Sequence, residues 1–138
     1  MNKRLLDTNI VSYWMRGDQH ILSQLMAYRP CDLVISSITL AEILYGIEKS
    51  PVKKRERGQK INSICSQLEV LDFDKPAAQK YATARAHLEK NGIPISERDL
   101  QIAAIALANG LCVVTHNTKE FSRVEGLTVE DWALSSQQ

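Results

Sequence analysis

Long hydrophobic runs are missing from this sequence. No uninterrupted apolar stretch can span a bilayer, and the short apolar run in "MNKRLLDTNI" is broken at Asp7, so neither a membrane span nor a signal peptide is expected. Cysteine is scarce. Cys31, Cys65 and Cys112 are odd in number, scattered and never in a C-x-x-C pair, which argues against a disulfide framework and a thiolate zinc site. Each sits among apolar neighbours, as a small core residue would, and a reduced, cytoplasmic protein is expected. An excess of one charge is missing too. Lys and Arg number 17 against 16 Asp and Glu, a formal net charge of +1, so any electrostatic footprint must be local. There are no repeats, no low-complexity segments and no G-x-x-x-x-G-K-[ST] phosphate loop.

What is present is an ordinary globular composition, 44% apolar and 24% charged, in 138 residues that read as one domain over 1–138. Short apolar runs alternate with helical periodicity. "RLL" (Arg4–Leu6) reads as a strand, followed by a helix from about Ile10 to Met15 and a second short one ended by Pro30. "LVIS" (Leu33–Ser36) is a second strand. Leu40, Ile43, Leu44 and Ile47 then mark one face of an amphipathic helix, and Ile61, Ile64, Cys65 and Leu68 mark another. "EVLDF" is a third strand. Asp74 caps a helix that stops at Asn91-Gly92, and "ERDLQIAAIALANG" is apolar nearly all round, as a buried helix would be. "LCVVT" is a fourth strand and "LTVE" a short fifth. This alternation predicts an α/β/α sandwich around a mostly parallel sheet of four to five strands.

In such sheets ligands bind beyond the carboxyl ends of the strands, and four acids fall at those ends or at helix starts facing them. Asp7 follows the first strand. Taken alone it reads as a helix cap. Glu42 closes a T-x-x-E capping box begun by Thr39, yet lies roughly opposite the apolar stripe of its helix. Asp99 completes a similar box from Ser96 and is the last charge before the apolar helix, where the helix N-terminus tolerates it. Glu120, just past the fourth strand, reads alone as a surface acid. Four carboxylates crowded at one edge need a cation, shared protons or a basic partner. Oxygen donors without Cys or paired His suit Mg²⁺ or Mn²⁺, whose chemistry on phosphate is Lewis-acid work.

The ordered stretches "LLDTNI", "SSITLAEILYGI", "GIPISERDLQIAAIA" and "VVTHNTKEF", from Leu5 to Phe121, resemble the acidic motifs of PIN-domain ribonucleases. Within that family they look most like the VapC toxins of bacterial type II toxin–antitoxin modules, and the terminal "GLTVEDW" fits that branch. The resemblance implies a Mg²⁺-dependent endoribonuclease, with Mn²⁺ as a substitute. Asp7 and Asp99 would be direct metal ligands, and Glu42 would complete the cluster, directly or through water. Many relatives carry Asp where this chain has Asn117, so the fourth acid is carried onto Glu120. Thr8, Asn9, Thr115 and Asn117 would hold carboxylates or water by hydrogen bonds. The resemblance also implies cleavage of initiator tRNA in the anticodon stem-loop. A VapB antitoxin would lay its C-terminal segment over the active groove, and the toxin would form a homodimer within a hetero-oligomer.

For the substrate, "KSPVKKRERGQK" concentrates basic residues, with Lys53, Lys54 and Arg55 as candidate phosphate contacts beside Arg98. A solvated helix face is the ordinary alternative for such a run. His116 reads as a loop histidine, with RNA contact or proton transfer as its functional alternatives. Trp14 and Tyr45 are candidates for base stacking, set against plain packing or contact with a partner. Two rival functions remain at this level. Phosphoryl chemistry on small molecules is disfavoured because "DTN" is not a D-x-D pattern. A non-catalytic RNA-binding or regulatory α/β module would use the acids only to take up a cation.

Overall fold

The apolar pair Leu5–Leu6 lies at the centre of the sheet, and both residues are fully buried. Burial of each is worth about 1.5–3 kcal/mol. The computed structural model describes residues 3–132; the ends of the expected 1–138 unit lie outside them. The strands are β1 (Arg4–Leu6), β2 (Leu33–Ser36), β3 (Glu69–Leu71), β4 (Cys112–Val114) and β5 (Thr128–Glu130). They pair in the order β3-β2-β1-β4-β5, and every neighbouring pair is parallel. The helices are α1 (Thr8–Met15), α2 (Gln19–Leu25), α3 (Ser37–Lys49), α4 (Lys54–Gln67), α5 (Lys75–Lys90), α6 (Glu97–Asn109) and α7 (Thr118–Phe121). The α/β/α expectation is met, with a fully parallel sheet.

Both faces of the sheet are covered, which is why the central strands are apolar without alternation. Leu6, Ile35 and Val114 point into one core, shared with Ile10 of α1, Ile43 of α3 and Ile61 of α4. Leu5, Val34 and Val113 point into the other, shared with Leu88 of α5, Ile102 of α6 and Phe121 of α7. The chain moves outward from β1 through β2 to β3, then returns by α5 and α6 to β4 on the other side of β1. The crevice between the carboxyl ends of β1 and β4 is therefore the topological switch point.

Several boundaries follow the sequence signals. Asp74 caps α5 by accepting the Ala77 N–H at 3.1 Å, and Gly110, at φ +65°, ends α6 in the left-handed conformation that glycine adopts without strain. Others differ. Pro30 opens a 3₁₀ turn (Pro30–Asp32) rather than closing α2, which already ends at Leu25. The α3 cap is Ser36, whose hydroxyl accepts the Thr39 N–H at 3.0 Å, so the expected Thr39–Glu42 capping box does not form. The helix starts one turn earlier because the last residue of β2 is itself a capping serine. Helix α7 is shorter than the window in which periodicity registers. At the far end of α3, Arg57 of α4 donates to the carbonyls of Gly46 at 3.2 Å, Ser50 at 2.6 Å and Val52 at 2.9 Å, with Ile47 at 3.5 Å. One guanidinium thus satisfies carbonyls that a helix terminus leaves open.

Candidate active site

Asp7 follows β1 directly, and its backbone N–H still continues the ladder to the Val114 carbonyl at 3.0 Å. Its side chain is only 3% exposed. One carboxylate oxygen, Oδ1, caps α1 by accepting the Ile10 N–H at 3.0 Å. The other, Oδ2, accepts the Thr115 hydroxyl at 2.5 Å. Capping and site chemistry thus share one carboxylate, an oxygen each. Thr115 stands one residue beyond β4, and its Oγ1 accepts the Asn117 N–H at 2.8 Å, so the turn folds back over the strand end.

That turn also reaches the other acids. The Asn117 amide donates to Asp99 Oδ2 at 3.2 Å, where α6 begins. Ser96 caps α6 by accepting the Asp99 N–H at 3.3 Å, as the sequence suggested. The Ser96 N–H, however, goes to Glu120 Oε1 at 3.4 Å. Glu120, carried by α7, therefore supplies the back-reaching carboxylate expected of Asp99.

Glu42 arrives from α3 and is tied to α1. Thr8 donates its hydroxyl to Glu42 Oε1 at 2.5 Å, which leaves the fully buried Thr39 hydroxyl to donate to Thr8 Oγ1 at 3.1 Å. This Thr39–Thr8–Glu42 relay was hidden in the sequence because Thr39 was assigned to the cap. Its visible trace is the i, i+3 spacing of Thr39 and Glu42, which puts both on one side of α3. Asn9 is exposed and makes no side-chain hydrogen bond among the described residues, so Thr115 holds Asp7 in its place.

The acids sense one another. Burial first, and then the charges of Asp99 and Glu42, push the Asp7 carboxyl up to about 6 against the hydrogen bonds from Thr115 and Ile10. Asp99 is also raised, first by burial and then by the charges of Glu120 and Glu42, with the Ser96 and Asn117 hydrogen bonds opposing. Arg98 answers part of this field from 3.4 Å beside Glu42 Oε2, with its own side chain 70% exposed. Glu42 stands between two open clefts. One, of about 290 Å³, is lined by Thr8, Ser12, Arg16 and Arg57; the other, of about 460 Å³, is lined by Arg98, Asp99 and Gln101. Of the basic run, Arg57 reaches the groove wall. Lys53, Lys54 and Arg55 are exposed, with Lys54 paired to Glu48 at 3.3 Å.

Among the described residues, no three acidic, histidine or cysteine side chains close into a ready-made metal cage. A hard divalent cation does not need one. Mg²⁺ takes one or two carboxylates and keeps its remaining positions for water and phosphate. A buried Asp7 and a half-buried Asp99, each raised first by burial and then by its neighbours' charge, fit that oxygen-only donor set.

Comparison with known proteins gives a consistent pattern. The family model described as PIN domain matches residues 4–127. The chain is 38% identical over 133 residues to the tRNA(fMet)-specific endonuclease VapC of Shigella flexneri, covering 96% of this chain and 100% of that protein. It is 41% identical to ribonuclease VapC2 of Haemophilus influenzae, covering 96% and 99%. Among solved structures it is similar to the DNA-bound VapBC of Salmonella typhimurium, with a TM-score of 0.88 and 39% identity over 96% of this chain and 100% of that one.

Proposed function

The chain belongs to the PIN-domain family, in its VapC branch, and from that premise we propose that it is a single-domain, divalent-metal-dependent endoribonuclease acting as the toxin of a toxin–antitoxin module. The observation that carries this reading is the gathering of Asp7, Glu42, Asp99 and Glu120, from the first two turns or the caps of four helices, around the switch point of the sheet. Asp7 and Asp99 would hold Mg²⁺, or Mn²⁺ in its place. When bound, such an ion polarises the phosphodiester and lowers the pKa of water.

The chain's own side chains do the positioning. Thr115 fixes Asp7, Asn117 fixes Asp99, and Thr8 turns Glu42 toward the groove. Arg98 holds Glu42 in the free protein and is exposed enough to exchange it for a substrate phosphate. Lys53, Lys54 and Arg55 would add backbone contacts farther along the strand. Clefts open on both sides of Glu42, a shape that suits a polymer crossing the site rather than an enclosed small molecule.

The substrate we propose is initiator tRNA, cut in the anticodon stem-loop, a reading supported by the 38% identity to the tRNA(fMet)-specific endonuclease of Shigella flexneri. A VapB-type antitoxin and a toxin homodimer within a hetero-oligomer complete the proposal, supported by the VapBC complex among the structural neighbours. No described helix is long and apolar enough to cross a membrane, which accords with action on cytoplasmic RNA.

The test is to map cut ends in total RNA after brief expression, and with purified protein in Mg²⁺. Discrete cuts in one tRNA are expected from the native chain and none from Asp7→Asn or Asp99→Asn. Tight RNA binding without cleavage at any Mg²⁺ or Mn²⁺ concentration would replace the enzyme with a binding module.

A further inference from the structure

His116 follows Thr115, the residue that holds Asp7, yet its imidazole takes no part in the acid network. Its Nδ1 lies 3.3 Å from the Asp131 carboxylate, whose side chain is only 9% exposed. In the neutral ring that contact puts the proton on Nδ1 and leaves Nε2 an acceptor that makes no hydrogen bond among the described residues. The ring itself is 46% exposed. An exposed loop histidine needs no such anchor. A shielded carboxylate is holding an aromatic ring in one orientation at the surface.

Two residues of α1 complete the setting. The Tyr13 ring meets the imidazole edge to face, with centroids 6.4 Å apart and planes at 69°. The Arg16 guanidinium covers Tyr13 from 5.1 Å. Arg16 also lines the cleft that contains Thr8 and Glu42, so it joins the aromatic pair to the wall of the acid groove. Tyr13 lies about 9 Å along α1 from Asp7, given about 1.5 Å per residue. The pair is therefore beside the reacting phosphate, not at it. Arg16 occupies Tyr13, and the ring left open to a ligand is that of His116.

Resting on the ribonuclease reading, we infer that His116, braced by Asp131 and Tyr13, is a stacking platform for one unpaired base of the RNA, with Arg16 contacting the adjoining phosphate. The chemistry is that of single-strand recognition: an aromatic face for the base and a cation for the backbone. A nucleotide held there sets which phosphate reaches the acids.

The test uses the full chain carrying Asp7→Asn, to prevent cleavage, and a short single-stranded oligoribonucleotide with one 2-aminopurine at successive positions. One position is expected to be quenched on binding. His116→Ala should abolish that quench and weaken binding by about 5- to 100-fold, while His116→Phe, which keeps a ring, should retain both. Arg16→Ala should reduce the salt dependence of binding by about one phosphate contact. In the cleaving protein, His116→Ala should also redistribute the cut sites. If the native chain cleaves RNA while His116→Ala quenches, binds and cuts as its parent does, the platform is overturned and the ribonuclease reading stands. If the native chain neither cleaves nor binds RNA in Mg²⁺ or Mn²⁺, both fall.

Discussion

Thr39 shows how a hydroxyl can matter more than its exposure suggests. It is fully buried, and its hydroxyl donates to Thr8, which donates to Glu42. Removing it with Thr39→Val keeps the shape but leaves Thr8 with one partner fewer and frees Glu42 to rotate. The expected outcome is a loss of about 1–2 kcal/mol of stability together with a rise in the Mg²⁺ concentration needed for half-maximal cleavage. Thr39→Ser, which restores the hydroxyl, should recover the metal requirement even if some packing is lost. An unchanged metal requirement in Thr39→Val would remove the relay from the site. The four acids were legible because carboxylates beside apolar strands are conspicuous. Their hydroxyl partners were not, because Thr and Ser at helix starts have caps as a ready explanation. Asn9, given a holding role by the resemblance, is the second residue of α1 and exposed, so any hold it has is on water at the groove rather than on Asp7 directly.

At the level of elements, α3 matters most, since it carries both Thr39 and Glu42. Its start is tied by Ser36 and its end by Arg57. In the sequence the Lys49–Lys60 run reads as a solvated face or a phosphate-binding patch. One of its members is instead a clamp on carbonyls, a role that composition cannot reveal because the acceptors are backbone. Arg57→Ala should lower the denaturant midpoint by the equivalent of about 1–3 kcal/mol, with the slope of the transition unchanged. Arg57→Lys, which lacks the planar fork, should recover only part of this. A midpoint unchanged in Arg57→Ala would show the clamp to be dispensable. Element boundaries were most legible where a cap or a glycine marks them, as at Asp74 and Gly110. They were least legible in α7, whose four residues carry no period although they deliver Glu120 and bury Phe121.

The order of the strands belongs to the whole molecule, and local pattern does not encode it. Asp7 and Thr115 meet across 108 positions only because β4 pairs with β1. That pairing drives a carboxylate into the interior, and its cost should be measurable as a pH effect on stability. The Asp7 carboxyl rises to about 6 in the folded chain, from an ordinary 3.8. The folded state therefore binds this proton more tightly than the unfolded state does. The resulting stabilisation is complete below about pH 4 and is lost as pH climbs through about 6, on the order of 3 kcal/mol. Asp99 is raised as well and acts in the same direction, whereas Glu130, lowered by its hydrogen bond to Arg4, acts oppositely at low pH. The difference between the native chain and Asp7→Asn isolates the one group, since asparagine can still cap α1. Without divalent ions the two should unfold alike near pH 4, and Asp7→Asn should be the more stable by up to about 3 kcal/mol at pH 7.5. Added Mg²⁺ should raise the melting temperature of the native chain at pH 7.5 and do little near pH 4, where Asp7 holds a proton in place of the cation. Parallel stability curves for the two proteins from pH 4 to 8 would mean that Asp7 ionises in the fold at no cost. The strain that makes this carboxylate ready for a cation would then be absent.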